Sequence, residues 1–200
     1  MAKLVDYYFT PVSPYTYLGH ERFLEIAARH GATIALKPVD YGRIFPVSGG
    51  LPLKQRAPQR QAYRLIELER WSKHLGKPLN IKPRFFPVSA DRAARWIIAA
   101  QAGRGDADAL RLTGALLRAV WAEERDISDQ PTLASIAARE QLDPARLAAG
   151  AASPDSAGRY DVLTQEAIDR QIFGAPTYVY RDEPFWGQDR LDFLDRPLAK

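Results

Sequence analysis

The chain has 200 residues, of which 46% are hydrophobic and 26% charged, with a formal net charge of +4 and no cysteine. This length and apolar content build one domain, or one domain with a large insertion, around a real core, and the mixed charge argues against disorder. The missing cysteines exclude disulfides, thiolate metal sites and thiol nucleophiles, while a balance of +4 favours anionic partners only mildly.

Lys3 to Phe9 reads as a strand rich in aromatic and β-branched residues. It breaks at Thr10-Pro11, and a helix is expected from Pro14 to His30 with Tyr17, Leu24, Ala27 and Ala28 on one face. Pro14 suits the first helical turn, which puts Ser13 at the N-cap, and Gly31 stops the helix. Ala32 to Val39 completes a βαβ opening. Residues 40–57 are Gly/Pro-rich and read as an ordered loop. Helices are then expected over Gln59–Leu75, with Leu65, Leu68, Trp71 and Leu75 on one arc, and over Asp91–Ala102, Asp106–Trp121, Pro131–Gln141, Pro144–Ala149 and Ser156–Gln171. The C-terminal stretch 173–194 reads as strand, turn, strand, helix, with strands Thr177–Tyr180 and Pro184–Trp186 around Asp182-Glu183. A βαβ unit, a helical middle and a ββα unit together predict an α/β thioredoxin-like fold carrying a large all-helical insertion. The division expected is 1–40 with 158–200 for the thioredoxin-like part and 41–157 for the insertion. The first nine residues carry Asp6 and no leader-like apolar segment, and no run reaches transmembrane length, so the expected location is the cytoplasm.

Four places are candidates for chemistry, and each also has a purely structural reading. Ser13 is a helix N-cap, and a hydroxyl beside the free N–H groups of a helix start also suits an anion. A redox protein of this design places cysteines at that corner; this chain cannot supply a thiolate there, whereas a low-molecular-weight thiol could. In "GAPT", Gly174 to Thr177, Pro176 either starts a strand or follows a cis bond that leaves the Ala175 backbone open to an extended peptide such as glutathione. In "WGQDRLDF", Gln188 and Asp189 cap a helix or hold a free amino group, Asp189 by charge-assisted bonding. The run Lys54, Arg56, Arg60, Arg64 reads as a solvated face with local ion pairs, and Arg60 alone as a clamp for a small carboxylate. The interrupted charge carries no nucleic-acid motif. His20 lies about two helical turns past Ser13, too far for a Ser–His pair, and His30 and His74 are expected in solvent near helix ends. No metal-ligand spacing, P-loop or dinucleotide fingerprint is present.

"YYFTPVSPYTYLGHERF", "GAPTYVY" and "FWGQDRLDFL", with residues 48–80, together resemble the 2-hydroxychromene-2-carboxylate isomerases and the related kappa-class glutathione transferases, DsbA-like thioredoxin folds with a helical insertion. The resemblance implies glutathione as cofactor, a small aromatic carboxylate as substrate and a homodimer. It implies Ser13 against the glutathione sulfur, the Ala175 backbone before a cis-Pro176 against the cysteinyl part, and Gln188 with Asp189 at the γ-glutamyl end. Arg60 falls where relatives have a lysine, Gly50 near a site-contacting asparagine, and Thr10-Pro11 where an acidic-aliphatic pair is usual. The implied reaction is glutathione-dependent isomerisation of 2-hydroxychromene-2-carboxylate to trans-o-hydroxybenzylidenepyruvate. The rival readings are a kappa-like transferase or peroxidase acting on other electrophiles, and a non-catalytic glutathione-binding module.

Overall fold

The computed structural model describes residues 2–200. Strands β1 (Leu4–Phe9), β2 (Thr33–Pro38), β3 (Thr177–Tyr180) and β4 (Glu183–Trp186) form one sheet in the order β2-β1-β3-β4. β1 runs parallel to β2 across helix α1 (Pro14–Arg29), and β3 is antiparallel to both β1 and β4. The helices between β2 and β3 are α2 (Tyr41–Ser48), α3 (Pro58–Leu75), α4 (Asp91–Arg104), α5 (Asp106–Trp121), α6 (Gln130–Arg139), α7 (Pro144–Ala152) and α8 (Pro154–Asp169), and α9 (Leu191–Leu198) closes the chain. The expected α/β thioredoxin-like architecture with a helical insertion is the one found. No helix among the described residues is long and apolar enough to cross a membrane.

The alternation of β1 fixes its register. Val5, Tyr7 and Phe9 enter the larger core with α1, α5 and β3, while Tyr8 enters a second core with Val39, Ile44, Ile98 and Leu163 on the opposite face. Tyr7 stacks on Tyr178 at 5.3 Å and meets Phe23 at 4.9 Å, so an aromatic cluster joins the two central strands to α1. On the second face, Lys37 lies 2.8 Å from Asp6 and 2.5 Å from Glu166, and Arg170 reaches Asp6 at 2.5 Å. These charges satisfy one another where α8 covers the sheet.

Several expectations are corrected by packing. The inward face of α1 is carried by Tyr17, Phe23, Ile26 and Ala27, and Ala28 is exposed. Residues 40–57 are not a loop throughout. Asp40 caps α2 by accepting from the Gly42 N–H at 2.7 Å, Gly49 ends it at φ 75°, and a 3₁₀ turn follows at Leu53–Gln55. The β3–β4 turn is Arg181-Asp182, both at positive φ, one residue earlier than expected. His30 is not free in solvent but pairs with Asp195 at 2.6 Å, whereas His74 is exposed.

His20 is buried where α1 crosses α5. Its Nε2–H donates to the Leu110 carbonyl at 3.1 Å, which leaves Nδ1 to accept from the Tyr7 hydroxyl at 3.2 Å. Burial pulls its pKa down to about 4. An unfolded histidine titrates near 6.5, so between those values the unfolded chain binds a proton that the folded chain refuses. The stability contributed by neutral His20 is therefore present above pH 6.5 and is lost as the pH falls towards 4. In an NMR titration the His20 ring signals are expected to stay constant from pH 7.5 to 5. A midpoint near the ordinary histidine value would contradict this packing.

Candidate functional site

The α1 N-terminus, α2, α3 and the segments before β3 and after β4 enclose a cleft of about 1240 Å³. Ser13, Gly50, Arg60, Ala175, Gln188 and Asp189 all line it, and Pro176 sits buried just behind Ala175. Five distant stretches of sequence thus meet at one site.

Ser13 stands at the corner where β1 gives way to α1. Its N–H donates to the Thr10 carbonyl at 3.1 Å, and its Oγ accepts from the Thr16 N–H at 3.1 Å. Pro14 has no N–H, and the Tyr17 N–H donates to the Ser13 carbonyl at 3.0 Å. The Tyr15 N–H is therefore the donor that this helix start leaves to a ligand. The Ser13 Oγ lies 3.4 Å from the Ala175 carbonyl oxygen, too long for a strong bond from its hydroxyl hydrogen. A ligand acceptor placed in the cleft competes easily for that hydrogen.

The Ala175–Pro176 bond is cis. Its loop is held by Gly174, whose carbonyl accepts from the Tyr41 hydroxyl and the Thr177 hydroxyl, both at 2.6 Å. A Cβ on Gly174 would lie 2.1 Å from the Trp186 indole nitrogen, so glycine lets β4 close against this loop. Trp186 and Phe173 form an edge-to-face pair at 4.7 Å on the cleft rim, each about half exposed. Gly187, at φ 103°, turns the chain after β4 and delivers Gln188 and Asp189 to the cleft. Gln188 is 1% exposed, and both its amide atoms lack a protein partner among the described residues. Among the described residues Asp189 pairs only with its exposed neighbour Arg190, at 2.9 Å.

On the α3 side, Arg60 is exposed, as expected for the basic run, but Arg64 is not. Arg64 is 9% exposed and lies over the rings of Phe86 and Trp121, at 5.2 and 5.7 Å. Its assignment to a solvated face is thus corrected: it sits one turn before the fully buried Leu68 on the inward arc of α3. Burial lowers its pKa from the usual arginine value, and burial raises that of Tyr15, which lines the same cleft. Gly50 offers backbone only. A Cβ there would meet the Phe45 ring at 2.4 Å, so Phe45 occupies the space that a longer side chain at position 50 would need. Tyr41, Arg64, Phe86 and Trp186 are site residues that sequence reasoning missed.

A DSBA-like thioredoxin domain model matches residues 4–199. The 2-hydroxychromene-2-carboxylate isomerase of Sphingobium xenophagum is 32% identical over 199 residues, covering 99% of both chains. That of Pseudomonas putida is 30% identical over 202 residues, covering 98% of this chain and 95% of its own. A solved 2-hydroxychromene-2-carboxylate isomerase structure superposes with a TM-score of 0.83 at 28% identity, covering 98% of this chain and 94% of that one. The cytosolic disulfide reductase DsbM of Pseudomonas aeruginosa shares the fold at a TM-score of 0.69 and 16% identity, covering 98% of this chain and 98% of its own.

Proposed function

Because the chain belongs to the 2-hydroxychromene-2-carboxylate isomerase family of DsbA-like thioredoxin domains, we propose that it is a glutathione-dependent isomerase. It converts 2-hydroxychromene-2-carboxylate to trans-o-hydroxybenzylidenepyruvate. The observation that carries the reading is the weakly held Ser13 hydroxyl at a helix N-terminus on a large cleft, in a chain without cysteine. The glutathione thiolate adds to the conjugated system, the ring C–O bond opens, a bond rotates and the thiolate leaves, so no glutathione is consumed. Ser13 and the Tyr15 N–H stabilise the thiolate. The Ala175 backbone pairs with the cysteinyl peptide, and Gln188 with Asp189 holds the γ-glutamyl end. A free thiol near pKa 8.5 is only a few per cent ionised at neutral pH, and lowering it by about two units requires roughly 2.7 kcal/mol of anion stabilisation. A hydroxyl donor and a helix start are of the right kind and size for that task. The same reading makes the protein a cytoplasmic homodimer, which sedimentation equilibrium would test.

Protein dialysed free of thiols is expected to be inactive on 2-hydroxychromene-2-carboxylate, to be restored by reduced glutathione and not by S-methylglutathione. Full turnover without thiol would overturn the proposal, and a stable conjugate in place of isomerised product would make the protein a transferase. Asp189→Asn is expected to weaken glutathione binding by about ten- to a hundredfold in calorimetry, the usual cost of losing a charged hydrogen-bond partner. Lys54→Ala, a change to an exposed side chain outside the cleft lining, should leave the dissociation constant nearly unaltered. Equal constants for the two variants would remove Asp189 from the site.

A further inference from the structure

We propose that Arg64 binds the carboxylate of the aromatic substrate and so makes the cleft selective for anionic over neutral aromatic electrophiles, an assignment that rests on the isomerase reading above. Arg64 is at once nine-tenths buried and on the cleft surface. Among the described residues it makes no ion pair, and its ionisable neighbours are the Tyr15 phenol and a second cation, Arg56. The nearest acid along the helix, Glu67, is committed to Arg70 at 2.8 Å. A guanidinium withdrawn from water without a carboxylate is costly, and the rings of Phe86 and Trp121 offset only part of that cost. The two rings lie 5.2 and 5.7 Å from the guanidinium carbon, and no Arg64 N–H has a hydrogen-bond acceptor among the described residues. Its N–H donors, fixed in one plane, are those a carboxylate accepts from in bidentate fashion.

The surroundings select the kind of anion. Trp71, Phe86 and Val88 line the same cleft as Arg64, Phe86 directly against it, and give apolar walls to a flat ring. Tyr15, two residues after Ser13, lines the same cleft as Arg64, Glu67 and Asp189. Arg60 fits the role less well, because it is exposed on the rim and its charge is screened by water. Arg56 is only half-buried and is turned partly to its own loop, its Nε–H donating to the Leu51 carbonyl at 2.8 Å.

The test uses two unreactive probes, chromone-2-carboxylate and chromone-2-carboxamide, with binding measured by calorimetry in wild-type protein, Arg64→Met, Arg64→Lys and Arg60→Met. Wild-type protein is expected to prefer the carboxylate by at least about tenfold. Arg64→Met should lose that preference while keeping its affinity for glutathione. Arg64→Lys, which keeps the charge and loses the planar fork, should retain part of it, and it serves as the readout if the methionine variant does not fold. In turnover, Arg64→Met should raise KM more than it lowers kcat. A preference that persists in both Arg64 variants, one that disappears in Arg60→Met instead, or its absence from wild-type protein would overturn the proposal. Failure of the isomerase reading looks different: no isomerised product, or a stable glutathione conjugate, would form, while the Arg64-dependent preference for the carboxylate would remain.

Discussion

Gly19→Ala is expected to destabilise the protein by about 1–3 kcal/mol, although glycine-to-alanine changes in ordinary helix interiors stabilise by up to about 1 kcal/mol. Gly19 lies in the middle of α1, facing the segment that follows β4. A Cβ there would lie 2.6 Å from the Gln188 Cβ, 3.0 Å from the Tyr178 hydroxyl and 3.3 Å from the Gln188 Cα. The last of these is backbone, so the methyl group cannot be accommodated by rotating a side chain. The 3₁₀ turn Gln188–Arg190 must move away from α1, and Asp189 moves with it. The expected result is a melting temperature lowered by about 3–10 °C for a chain of this size, together with weaker glutathione binding. Gly158→Ala is the control. Gly158 is exposed in α8 with nothing within 4 Å of its added Cβ, so alanine there should stabilise slightly through helix propensity alone. If the two variants melt alike and bind glutathione alike, Gln188 and Asp189 are not held in place by contact with α1.

The parts of the fold that local chemistry dictates were legible in the sequence. Ser13 followed by Pro14 announces a capped helix start, and the Ser13 Oγ bond to the Thr16 N–H is that cap. The aromatic and β-branched run Lys3 to Phe9 announces a strand, and β1 spans Leu4–Phe9. Helix α2 was not legible, because Gly42, Pro46, Gly49 and Gly50 give its stretch the composition of a loop. What holds it is tertiary: Tyr41 and Ile44 are buried, and the Tyr41 hydroxyl donates to a carbonyl 133 residues away. No local pattern encodes such a bond, and through it α2 fixes the loop before β3. Arg64 is a different case. It stands four residues before Leu68 and seven before Trp71, on the arc already recognised as apolar, and the signal was masked by reading Lys54, Arg56, Arg60 and Arg64 as one charged run. A cation at a core position of an amphipathic helix is itself a pointer to a site. At position 50 the family resemblance implied the loss of a nearby asparagine contact, but not that the Phe45 ring lies where a Cβ at this position would go.

Ser13→Ala carries the largest expected effect on chemistry. As a cap alone, the hydroxyl is worth about 1 kcal/mol of stability, and the variant should fold and still bind glutathione through its peptide contacts. As a donor to the thiolate it is worth more, because among the described residues the one acceptor near its Oγ is the Ala175 carbonyl at 3.4 Å, a weak competitor to a sulfur anion. Turnover at neutral pH should fall by less than the thiolate population does, since a thiolate of higher pKa is the better nucleophile. Raising the pH should recover part of the lost rate. The pKa of the bound thiol is therefore a sharper probe than the rate. Ultraviolet thiolate absorbance of bound glutathione, titrated against pH in wild-type and Ser13→Ala protein, reads it directly. The account predicts a wild-type midpoint about two units below the free thiol and a variant midpoint shifted back towards about 8.5. Superimposable titrations with unchanged turnover would contradict it and leave Ser13 as a helix cap.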